Sequence, residues 1–150
     1  MTDEQLMQYH YKVEQDLQQY GYYSTFVFSK DKPSFCYSTG IYKNFGIPEI
    51  FISSLPPNLS YELISNYLNK FKESKSVPLN QRIVDLTDRF FVYLIDVPIS
   101  EVKDYALASI KFYENIDLKY IQLIYPDIQG NFPNDSEYDY DQIVLGDFIN

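Results

Sequence analysis

Along the first twenty positions, Leu6, His10, Val13, Leu17 and Tyr20 recur at the three- and four-residue intervals that line one face of a helix. Thr2-Asp3-Glu4-Gln5 carries capping-box spacing ahead of that run, and Gly21 supplies a stop. From Tyr23 to Ser29 the period shortens to the two of a strand, and Lys30-Asp31-Lys32-Pro33 forms a turn into a second strand, Phe35 to Thr39, predicting a hairpin. A compact turn containing Gly40 and Gly46 then leads to Glu49–Ser54, a run apolar on both faces and therefore central.

Pro56-Pro57-Asn58 ends that strand, with Asn58 placed to cap a helix whose stripe is Leu59, Leu63, Ile64, Tyr67, Leu68 and Phe71. A loop from Glu73 to Pro78 follows. Arg82–Leu86 predicts a short edge strand and Arg89–Val97 a strongly apolar one. Ser100 is placed to cap a helix running to about Glu114, and Tyr120–Tyr125 predicts the last strand. Asp127-Ile128-Gln129-Gly130 has the residue order of a type I turn, and an acidic tail occupies 134–150. This order predicts one α+β domain over residues 1–150. It has a mixed or antiparallel sheet of five or six strands and about three helices, largely on one face.

Composition narrows the chemistry. The net charge of −9 is concentrated late: residues 1–75 hold eight acids and seven bases, residues 76–150 thirteen acids and five bases. Such a surface repels nucleic acid and anionic lipid and attracts a basic partner. No apolar run reaches the length of a membrane span, and the polar, acidic opening is unlike a secretory leader. One cysteine, Cys36, permits no internal disulfide, so a cytoplasmic location is expected.

The same inventory removes several reaction classes. Cys36 and His10 are the only possible thiol–imidazole pair. His10 falls on the apolar stripe of the first helix and Cys36 inside a strand, which predicts structural roles for both. One cysteine and one histidine cannot build a Cys/His zinc site, and no Gly-rich phosphate loop exists, so no metal or cofactor is expected. Asp135, Glu137 and Asp139 mimic the first ligands of a calcium loop, but Tyr140 stands where glycine is needed and Gly146 where the bidentate glutamate belongs.

Several short motifs recur in a familiar order: Tyr37-Ser38-Thr39-Gly40-Ile41, Phe45-Gly46-Ile47-Pro48-Glu49-Ile50, Leu55-Pro56-Pro57, Tyr125-Pro126-Asp127, Gly130-Asn131-Phe132-Pro133 and Gln142-Ile143-Val144-Leu145-Gly146. Through them the chain resembles a bacterial family, the domain of unknown function numbered 4262, from about Gly21 to Gly146. It departs from such sequences at Ile47, where they usually carry His, at Asn134, where an aromatic is usual, and at Tyr125, where Trp is common. The resemblance implies no activity. If the family's chemistry used that histidine, the departure at Ile47 would favour a structural or binding role.

Two functional expectations follow. The first is a non-enzymatic, protein-binding factor of the immunity or antitoxin kind, meeting a basic partner such as a toxin through the acidic, Tyr-bearing segment Glu137, Tyr138, Asp139, Tyr140 and Asp141. The alternative is a small-ligand binder or enzyme. Its cleft would gather Thr39, Glu49, Arg82 and Asp127 beside Tyr37, Tyr125 and Phe132, with Glu49 as general base. Glu49 and Asp127 could instead serve only to hold turns through backbone N–H groups.

Overall fold

A computed structural model describes residues 2–114 and 116–148. Six strands form one mixed sheet in the order β1-β2-β3-β6-β5-β4. The strands are β1 (Tyr23–Val27), β2 (Phe35–Thr39), β3 (Glu49–Ser53), β4 (Arg82–Ile83), β5 (Val92–Val97) and β6 (Tyr120–Ile124). Every neighbouring pair is antiparallel except β3 and β6, which run parallel with Glu49 opposite Tyr120. The helices are α1 (Asp3–Tyr20), α2 (Ile41–Phe45), α3 (Pro57–Phe71), α4 (Ile99–Val102) and α5 (Leu107–Phe112). The chain is thus an α+β fold around an open sheet, as its hydrophobic pattern predicts.

Alternation along the central strands sends apolar side chains to both faces. Cys36, Ile50, Ile52, Leu94, Ile121 and Leu123 pack with the stripe of α3 on one side. On the other, Tyr37, Phe51, Val97 and Tyr120 pack with Val102, Ala106 and Tyr113, while Tyr93, Ile95 and Ile124 meet Phe132, Val144 and Phe148. The helices therefore divide between two faces, against the one-sided arrangement expected. Strands apolar on both faces need two covers, and here α3 supplies one while α4, α5 and the 132–148 segment supply the other.

Four local features differ from the sequence reading. The turn between β2 and β3 is a helix, α2, bracketed by Gly40 and Gly46, both at positive φ. α3 begins at Pro57 after Pro56 as N-cap, with no side-chain cap, so Asn58 is already inside it; proline at the first helical position needs no capped N–H. Ser100 likewise lies inside α4, whose N-cap is Pro98, and the helix expected to reach Glu114 is broken between Val102 and Leu107. Strand ends differ too, β5 starting at Val92 rather than Arg89 and β4 stopping at Ile83 rather than Leu86.

The first helix has its capping box, with Thr2 accepting from the Gln5 amide and Gln5 reaching back to the Thr2 amide. It has no buried residue, however, and His10 is exposed rather than part of a buried stripe. Both sheet faces are already covered, leaving α1 only the edge beside β1. Leu17 packs there, so near Gly40 that a Cβ on that glycine would lie 2.9 Å from Leu17 Cδ2.

Candidate functional site

The seven cleft candidates separate into an interior group and a groove. Glu49 begins β3 and is fully buried. Ser38 Oγ donates to its Oε1 at 2.6 Å, the Gly40 and Tyr42 amides donate to Oε2 at 2.9 and 3.1 Å, and the Tyr113 hydroxyl donates to the same oxygen in a short bond. Burial raises its carboxyl above the ordinary 4.5, while these four donors pull the other way without cancelling the rise. Fully buried and bonded by these four donors, this carboxylate fastens the start of α2 to β3.

Thr39 and Tyr37 lie at the same end of the sheet. Thr39 is buried opposite Tyr23 across the β1–β2 pair, and the buried Tyr37 hydroxyl accepts from the Ala108 amide at 3.1 Å. Tyr125 is buried on the α3 side, its hydroxyl donating to the Ser53 carbonyl at 2.6 Å. These side chains build the core.

Arg82, Asp127 and Phe132 do come together, beyond the other end of β6, where they line an open groove of about 560 Å3. Asp127 opens a turn closed by the Gly130 amide on its own carbonyl at 3.0 Å. Its Oδ1 accepts from the Gln129 and Asn131 amides, both at 2.9 Å, and its Oδ2 from the Asp139 amide at 3.1 Å. Desolvation pushes its carboxyl up, but the accepted N–H bonds outweigh it and hold Asp127 below the ordinary carboxylate value. Both carboxylates of the sequence-derived cleft thus tie down turns, one at each end of the sheet.

The acidic segment is a built part of the molecule. Gln122, buried on β6, receives the Leu145 amide at 2.8 Å and donates to the Ile143 carbonyl, while Ser53 Oγ accepts from the Ile143 amide at 3.0 Å. Gln142 donates to the Tyr125 carbonyl at 2.9 Å and to the Tyr138 hydroxyl at 2.6 Å. Burial pushes the Tyr138 phenol up to about 12. Glu137, Asp139, Tyr140 and Asp141 remain exposed, and Tyr140 leans on Tyr125 and Tyr138. A family model described as "Domain of unknown function (DUF4262)" matches residues 16–139.

The chain belongs to the DUF4262 family. The match takes in the whole sheet, the Glu49 network and the Arg82–Asp127 groove, and excludes most of α1. No curated protein and no solved structure matches the chain. Within this DUF4262 member Cys36 is buried and its thiol is pushed up to about 12 by desolvation, while His10 is on the exposed surface of α1, so the two make no nucleophile–base pair. Among the described residues no group of three or more His, Cys, Asp or Glu side chains is placed to hold a metal ion, and no helix is long and apolar enough to cross a membrane.

Sequence reasoning missed Tyr113 and Ser38 as partners of Glu49, and Arg89, Phe91 and Ile128 as neighbours of Arg82. For Tyr113 no local signal exists, since it meets Glu49 across sixty-four positions. For the groove a signal did exist, because its two arginines are the only two in the chain.

Proposed function

We propose that this protein is a non-enzymatic binding factor, of the immunity or antitoxin kind, that meets a basic protein partner in the cytoplasm through the segment Glu137–Asp141. The observation that carries this reading is the way the segment is held. Asp127, Gln142, Gln122 and Ser53 fix its backbone and its neighbours, yet leave three carboxylates and a 45% exposed Tyr140 facing outward. Among the described residues, none of these carboxylates is in an ion pair. Preorganised aromatic and charged side chains bind at less cost in ordering than a loose tail would.

The test compares Glu137→Gln with Asp139→Asn and Asp141→Asn against a control, Glu14→Gln with Glu73→Gln and Glu101→Gln, which removes the same charge from other exposed positions. With decalysine as probe, binding is expected to weaken about tenfold in the first variant, less than threefold in the control, and to fall as salt shortens the Debye length. Equal losses in both variants, or indifference to salt, would refute the segment as the recognition surface.

A further inference from the structure

The groove at the far end of the sheet concentrates a residue type the chain otherwise avoids. With ten lysines elsewhere, the only two arginines, Arg82 and Arg89, both line it. Lysine would supply the same charge. Arginine adds a planar fork that matches a carboxylate in two bonds and stacks on aromatic rings.

The surroundings suit both properties. The Arg82 guanidinium lies 5.2 Å from the Phe91 ring centre, and its Nε reaches the Tyr93 hydroxyl at 3.4 Å. Phe132 packs edge-on against Tyr93 with centroids 4.9 Å apart, joining the opposite wall to the same aromatic layer. The Arg89 side chain pairs with Glu62 at 3.6 Å with both side chains about half exposed, a loose pair that a better-placed carboxylate can displace. Ile128, 89% exposed, projects from the turn that Asp127 fixes and forms an apolar lip.

The charges set the ligand's valence. Two arginines face two lining carboxylates, Asp88 and Asp127, the latter kept ionised by its N–H donors, and Glu62 stands beside Arg89. The groove therefore carries no surplus of positive charge, and a singly charged head that takes the place of Glu62 at Arg89 is favoured over a multiply charged phosphate. A groove of about 560 Å3 also falls in the range of small-molecule sites, roughly 300–1,000 Å3. We propose that this groove binds a small organic monocarboxylate, its head received by Arg82 and Arg89 and its aromatic or apolar body laid against Phe91 and Phe132. This site shares no lining residue with the acidic segment, although the Asp139 amide braces the turn at its rim through Asp127.

The experiment is an NMR titration of the full chain with 1-naphthoate, with neutral 1-naphthamide and with inorganic phosphate. Naphthoate is expected to saturate while shifting the Phe91 and Phe132 signals, with naphthamide and phosphate each at least about tenfold weaker. Arg82→Gln and Arg89→Gln are each expected to weaken naphthoate about tenfold, and Arg82→Lys to lie between wild type and Arg82→Gln. Circular dichroism confirms folding; should Arg82→Gln not fold, Arg89→Gln, at an exposed loop position, decides alone. Naphthamide binding as tightly as naphthoate would reduce the groove to an apolar crevice and overturn the proposal. Phosphate binding equally well, or no effect of the arginine substitutions in folded protein, would overturn it too.

Discussion

Glu49 is a carboxylate placed where water cannot reach, answered by two hydroxyls and two amides. Glu49→Ala strands those donors and opens a void, an expected loss of about 3 kcal/mol or more in denaturant unfolding. Glu49→Gln keeps the volume and resembles the protonated acid. Because burial raises the folded carboxyl above the unfolded 4.5, the folded state holds its proton longer, and this contribution to stability is full below that value and lost as pH rises through the folded one. The stability difference, wild type minus Glu49→Gln, should therefore shrink from acid to neutral pH in urea melts. A difference that grew with pH would mean the four donors outweigh desolvation. The position of Glu49 at the start of a buried strand was legible in the sequence. Its partners were not, because Ser38 is brought by strand pairing and Tyr113 by the packing of the segment after α5.

At the level of elements, the strands were the most legible, since alternating or doubly apolar runs bounded by Pro, Gly and Ser leave little choice of period. Helix ends were less so. Asn58 and Ser100 have good capping side chains, yet the prolines two residues earlier fix the start of each helix. The stripe on α1 predicted a buried face, but the sheet had no uncovered face left to receive it. Little apolar surface is therefore lost if α1 is shortened. Deleting residues 2–12 is expected to cost under about 1 kcal/mol, a fall in Tm of no more than about 4 °C by differential scanning calorimetry. A larger fall would show that the exposed half of α1 holds the sheet.

Across the whole molecule, the 132–148 segment behaves as a cover for the sheet, and Gln122 is the clasp: its amide stands in for a backbone peptide, accepting one N–H and donating to one carbonyl. Gln122→Leu removes both bonds at nearly constant volume. Hydrogen exchange is expected to speed up about tenfold or more at the Leu145 amide while the Ile121 amide is little changed. Equal acceleration at both would mean that the segment and the sheet open as one unit. The acidity of this segment was plain in the sequence. That it lies across a sheet face depends on polar side chains, Gln122, Ser53 and Gln142, that no hydrophobic pattern marks.

The one parallel seam, β3 against β6, joins residues about seventy positions apart, and it divides the sheet into three strands from each half of the chain. Neither half is self-sufficient, since β3 and β6 each lose a flank when parted. A nick in the 73–78 loop would leave two fragments that stay associated and keep the fold. Pulled apart in denaturant and diluted separately, each would expose a bare apolar strand edge and aggregate, and only their mixture would restore a native spectrum.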